Sequence, residues 1–189
     1  MDLVLKKTSD IEKRAKLLGA EFLLISEPND FKQGGLLVRA SKPKEIVSAR
    51  KLAKRAQFVV ADSNDEQTIR FIMEQKWINA FTNISTSTGR DHTHYRRSNF
   101  NQVLAKIAKE TGKTYIIDFS HILEITGKKR ALLLGRIMQN IRICQKYKVP
   151  ISIATFATSK DELRNPKDLQ ALLRAFKTKK LVDILEMIK

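Results

Sequence analysis

Short apolar runs alternate with amphipathic stretches along this chain, and the alternation repeats about seven times. Leu3 to Leu5, Phe22 to Ile25, Leu36 to Ala40, Phe58 to Ala61, Ile78 to Thr82, Tyr115 to Phe119 and Ile151 to Thr155 are short and rich in β-branched or aromatic residues, which predicts strands. Between most of them lie stretches with helical spacing. Ser9 to Leu18 starts with Ser9 or Asp10 as its cap and stops at Gly19. A second helix has Ser41 as its cap, Pro43 in its first turn, and runs to about Arg55. Glu66 to Gln75 follows the capping segment Ser63-Asn64-Asp65. Asn99 to Glu110 ends before Gly112, Lys128 to Tyr147 is closed by Pro150, and Asn165-Pro166 opens a last helix.

Repeated strand–helix units imply parallel strands joined by right-handed crossovers. About seven of them point to an irregular βα barrel rather than an open sheet, although 189 residues is short for a full eight-fold barrel. No linker or low-complexity segment divides the chain, so residues 1–189 read as a single domain. An apolar fraction of 42% sustains a core. No apolar run approaches the roughly 20 residues of a membrane span. The start, Met1 to Lys7, has no signal-peptide pattern. The lone Cys144 falls on the apolar stripe of the long helix; it reads as core in a chain of the reducing cytoplasm.

Charge changes the picture. The chain carries 36 Lys plus Arg against 20 Asp plus Glu, a net +16. Residues 1–127 have 21 basic and 15 acidic groups, whereas residues 128–180 have 14 basic groups and only Asp161, Glu162 and Asp168. An excess this concentrated raises self-repulsion and calls for a polyanionic partner, with nucleic acid first among them. On the long helix, Lys129, Arg136, Gln139 and Lys146 share an arc opposite the stripe Leu134, Ile137, Met138 and Ile141. The loop holding Lys160, Arg164 and Lys167 leads into a helix start, where amides favour anions. Arg90, Arg96 and Arg97 form a third cluster around Tyr95, a side chain suited to stacking on an unpaired base.

Enzymatic chemistry is the competing reading. His92 and His94 could share a strand face and, with a strand-end carboxylate, hold a metal in a phosphoesterase. They sit instead in a polar, Ser/Thr/Arg-rich stretch, which reads as a loop. Asp62 and Asp118 could face each other as an acid/base pair or serve only as helix-start residues. Gly34-Gly35 is too short for a phosphate loop. The residues therefore supply no catalytic set and no protein metal site. An adaptor whose basic face binds an acidic protein is the remaining alternative.

Several segments, in order, resemble the archaeal ribonuclease P protein component 3 family, relatives of the eukaryotic thirty-kilodalton subunit. They are Ala61-Asp62-Ser63-Asn64-Asp65 with Ile69-Arg70, Val103 to Glu110, Arg130-Ala131-Leu132-Leu133, Lys146-Tyr147-Lys148-Val149 and Leu163-Arg164-Asn165-Pro166-Lys167-Asp168-Leu169. The last is close to the family's Leu-Arg-Ser-Pro-Arg-Asp-Leu. Two positions depart: Asn101-Gln102 stands where the family has Asp-His, and Ala154-Thr155-Phe156-Ala157 where it has Ser-Ser-Gly-Ala.

The resemblance implies a TIM-barrel-like fold akin to the metal-dependent phosphoesterases without their metal site. It implies a noncatalytic subunit of the endonuclease that removes the 5′ leader of precursor tRNA. The RNA subunit performs the cleavage with magnesium, no cofactor is bound by the protein, and component 2 is the protein partner. By position it marks Arg70, Arg130, Lys146, Arg164 and Lys167 as RNA-binding, with Lys42 and Arg90 beside them; Lys160 joins them from the basic loop.

Overall fold

In the computed structural model, which describes residues 1–86, 91, 95–178 and 181–188, seven strands form one all-parallel sheet in chain order. They are β1 (Asp2–Val4), β2 (Phe22–Ser26), β3 (Gly35–Arg39), β4 (Phe58–Asp62), β5 (Ala80–Thr82), β6 (Thr114–Asp118) and β7 (Ile151–Ala154). The helices are α1 (Ser9–Leu18), α2 (Pro43–Ala53), α3 (Glu66–Glu74), α4 (Gln102–Glu110), α5 (Phe119–Glu124), α6 (Gly127–Tyr147) and α7 (Pro166–Ala175). A 3-10 turn, Ile184–Met187, follows. The expected strand–helix alternation and the count of seven strands both hold.

Side chains alternate across the sheet with the period of two that a pleated strand imposes. Leu37, Phe58, Val60, Ala80, Ile116 and Ala154 belong to an inner cluster. Leu36, Val38, Val59, Ala61, Phe81, Tyr115 and Ile117 face the helices in a larger outer core. Phe81 stacks with Tyr115 at 5.5 Å between ring centroids. The fold is thus a βα barrel of the TIM type, with a filled interior.

The sheet curls until β1 meets the end of β7. Val4 forms an isolated bridge with Ala157, and the Leu5 amide donates to the Ala157 carbonyl at 2.9 Å. At the N-terminal end of the strands, the Val182 amide donates to the Ile151 carbonyl at 3.1 Å. The buried Ile184 then seals the inner cluster from below.

Local physics moves several expected boundaries. Thr8, rather than Ser9 or Asp10, caps α1: its backbone is extended and its hydroxyl accepts from the Ile11 amide. Lys42 rather than Ser41 flanks α2, because the Glu45 carboxylate reaches back to both their amides. Asn101 caps α4 and accepts from the Val103 and Leu104 amides, so that helix starts three residues later than expected. The chain leaves α6 at Lys148 in the left-handed region (φ 58°), before Pro150 is reached. The strand predicted through Phe119 stops at Asp118, whose carboxylate accepts from the His121 amide and turns the chain into α5.

Candidate nucleic-acid interface

In a βα barrel every helix starts beyond the C-terminal end of its strand, and that rim is where such folds place their chemistry. The inward positions at the ends of β3, β4 and β6 are Arg39, Asp62 and Asp118. They open into a cleft of about 700 Å³ that Asn83, Ser120, His121 and Glu124 also line. Asn83, in the left-handed region at φ 56°, donates its Nδ2 to Asp62 at 3.1 Å and to Asp118 at 3.3 Å. Arg39 pairs with Asp62 at 3.4 Å and with Glu27 at 2.9 Å. Burial raises the Asp62 carboxyl above its usual value and Asp118 adds to this, against the Asn83 hydrogen bond and the Arg39 charge. The two carboxylates do meet, but an amide rather than a reactive group joins them. Among the described residues no set of three or more His, Cys, Asp or Glu side chains is disposed to hold a metal ion. His92 and His94, like Arg90, lie outside the described residues.

The predicted RNA-binding residues fall at different ends of the barrel. Lys42, Lys160 and Lys167 are exposed on the segments that follow β3 and β7, at the rim. Lys146 is exposed at the opposite end of α6, its ammonium 5.7 Å from the Tyr147 ring centre. Arg70 is exposed on α3 and pairs with Glu74 at 3.3 Å.

Two of the arginines are engaged by their own backbone. Arg130 donates to the carbonyls of Ile125 and Leu123, closing the turn between α5 and α6. Arg164 donates to the Asp161 carbonyl at 2.6 Å and the Leu163 carbonyl at 2.9 Å, and lies over the Phe119 ring. Each therefore shapes a basic loop as much as it presents charge.

The expected arc on α6 needs correction. Arg136 does not face solvent. It is buried, donates Nε to Asp91 at 2.8 Å, and helps that single carboxylate anchor the segment before α4. The core stripe is Leu133, Ile137, Asn140, Ile141 and Cys144. Burial pushes the Cys144 thiol far up, as fits a core residue.

Asp91 also accepts from the Arg97 amide at 3.1 Å and pairs with Arg96 at 3.3 Å. Burial opposes its ionisation, yet the Arg136 hydrogen bond, the Arg97 amide and the Arg136 charge hold its carboxyl below the usual range. The sequence does not mark Arg39, Asn83, Asp91 or Arg142 as site residues. Only Asn83, after a strand and in a turn, carries a local signal.

A TIM-type barrel with a basic surplus is the class that fold and composition define. The protein-family model described as RNase P subunit p30 matches residues 31–182. The chain belongs to that family. Ribonuclease P protein component 3 of Methanosarcina acetivorans is 36% identical over 77 residues, which are 41% of this chain and 32% of that protein. Its counterpart in Methanocaldococcus jannaschii is 33% identical over 76 residues, 40% of this chain and 33% of that one. The match thus spans about a third of either relative. The Archaeoglobus fulgidus protein is 22% identical over 142 residues, 75% of this chain and 65% of that protein. A chain in the cryo-EM structure of archaeal ribonuclease P with mature tRNA superimposes with a TM-score of 0.79 at 19% identity. That similarity covers 98% of this chain and 84% of the other, and shows the same fold. No helix among the described residues is long and apolar enough to cross a membrane.

Proposed function

We propose that this chain is a protein subunit of ribonuclease P, which holds the catalytic RNA in its working shape. The observation that carries the reading is the family match over residues 31–182, which takes in all of α6 and the segment from Leu163 to Leu169. The basic surplus of residues 128–180 supports it, since phosphate contacts supply affinity by counterion release whatever the base sequence. In this reading the RNA carries out hydrolysis of the 5′ leader of precursor tRNA, with magnesium held by the RNA. The protein contributes cations and shape, contacts precursor tRNA through the RNA, and docks component 2 and other protein subunits. Its place of action is the cytoplasm. Lys42, Arg70, Arg90, Lys146, Lys160 and Lys167 are the proposed phosphate contacts, and Arg130 and Arg164 order the loops that present them.

Reconstitution tests it. Catalytic RNA and component 2 from an archaeal relative, with precursor tRNA, should cleave faster at low magnesium when this chain is added. The chain alone should leave precursor tRNA intact. Cleavage by the chain alone, or no effect on the reconstituted enzyme, sinks the proposal.

A further inference from the structure

α6 turns a second face to solvent, opposite its core stripe. At 3.6 residues per turn, Lys128, Gln139, Arg142 and Lys146 all lie within about 40° of Gly135 around the helix axis. Leu133, Ile137, Ile141 and Cys144 cluster on the far side and are buried. Lys128, Arg142 and Lys146 are exposed.

Between Lys128 and Arg142 this face of the helix offers no cation of its own. One is supplied from outside. The Arg96 guanidinium lies against the helix backbone at Gly135: a Cβ on that glycine would sit 2.5 Å from Arg96 Cζ and 2.6 Å from Nε. Gln139 holds the Arg96 backbone on both sides, accepting from its amide at 2.8 Å and donating to its carbonyl at 2.8 Å. It also donates to the buried Ser98 hydroxyl at 3.2 Å. Asp91 accepts from Arg96 Nη1 at 3.3 Å. Two guanidiniums, those of Arg96 and Arg136, share this one carboxylate, so the cluster keeps a net positive charge.

From this geometry we infer that the outer face of α6 is a phosphate-backbone site, in which Lys128, Arg96, Arg142 and Lys146 form one row. The inference rests on the RNA-binding function proposed above and names the surface that serves it. Gly135 and Gln139 are positioning residues: one leaves room for Arg96 and the other fixes its backbone. The row runs about 27 Å along the helix, the length of several nucleotides and far beyond a single small anion. Leu132 is the one large apolar side chain exposed on α6 among the described residues. That suits a nucleic-acid backbone better than a protein partner, whose interface core is depleted in charge.

The test is the salt dependence of binding between the full chain and a transcript of the Methanocaldococcus jannaschii ribonuclease P RNA. Each phosphate that a variant no longer neutralises should lower the slope of log affinity against log salt by about 0.7–0.9. The combined Lys128→Gln, Arg142→Gln and Lys146→Gln variant should lower it by about two to three units. Gly135→Ala should lower it by about one while the helical signal in circular dichroism is kept, because alanine is the better helix former. Gln139→Ala should act in the same direction without adding atoms.

A control variant, Lys13→Gln, Lys16→Gln and Lys54→Gln, removes the same charge elsewhere and should leave the slope unchanged. An equal drop in that control, an unchanged slope in both Gly135→Ala and Gln139→Ala, or equally tight and equally α6-dependent binding of polyglutamate would overturn the inference. A wild-type chain that does not bind the transcript at all would instead remove the proposed function beneath it.

Discussion

Asp2 on β1 accepts two hydrogen bonds from Thr155 beyond the end of β7, one from its amide at 2.7 Å and one from its hydroxyl at 2.6 Å. Both residues are buried, and the pair spans the seam where the first and last strands meet. A carboxylate here does what a longer strand ladder would otherwise do. Asp2→Ala leaves a buried amide and hydroxyl without an acceptor, and should cost about 2–3 kcal/mol. Urea unfolding measures this, with Asp2→Asn expected to lose less because its carbonyl oxygen still accepts.

Lys113 is fully buried, and its Nζ donates to the carbonyls of Gln75 and Ile78 at the end of α3. Burial lowers its pKa to about 8, from 10.5. Between those values the unfolded chain binds more protons than the folded one, so this group makes stability rise with pH across that window. Its favourable contribution is complete above the unfolded value and is lost as pH falls through about 8. Melting curves from pH 7.5 to 10.5 should show wild type gaining on Lys113→Met as pH rises. Parallel curves would show that the ammonium is not desolvated.

Phe156 holds φ 49°, in the left-handed region, and its ring is buried in the inner cluster of the barrel. This is the position where the family pattern has glycine. Ring burial thus outweighs the backbone strain that glycine would avoid. Phe156→Ala should destabilise by about 3–5 kcal/mol. Phe156→Gly should cost about 1 kcal/mol less than Phe156→Ala, since it loses the same ring but relieves the positive φ. A gain in stability for Phe156→Gly in thermal unfolding would show that the ring fills no void.

Arg136 and Asp91 make a nearly buried ion pair that ties the segment before α4 to α6. Asp91→Ala takes a charged partner from the buried Arg136 and should cost about 2–3 kcal/mol. It should also free Arg96 and speed proteolytic cutting near residues 95–98. Resistance equal to wild type would show that Gln139 alone holds the segment.

Arg164→Ala should cost stability, about 1 kcal/mol from the missing carbonyl hydrogen bonds, whereas Lys160→Ala and Lys167→Ala should weaken RNA binding with unchanged melting. Comparing melting and RNA affinity in the three variants checks the division. Equal affinity loss with unaltered melting for Arg164→Ala would return it to the direct contacts.

The run Phe58-Val59-Val60-Ala61 and the spacing of Leu169 and Leu173 are legible along the chain because burial leaves a period, two for a strand and 3.6 for a helix. The seven strands, the barrel they imply, the buried Cys144 and the concentration of charge after residue 127 all follow from that kind of local signal. So does the family, through ordered segments such as Leu163 to Leu169. What the chain order could not supply is which distant residues meet. Arg136 shares its helical arc with solvent-facing cations, yet Asp91, 45 positions away, draws it inward. Asn83 looks like a turn residue, and only the pairing of β4 and β6 on either side of β5 brings Asp62 and Asp118 to its amide. Gly135 reads as a weak point in a long helix until Arg96 is seen lying against it. The sequence by itself determined the elements and the sign of the surface, since both are properties of neighbours and sums. Tertiary structure decided which charges are neutralised and which remain exposed, because pairing energy depends on distance and burial in space.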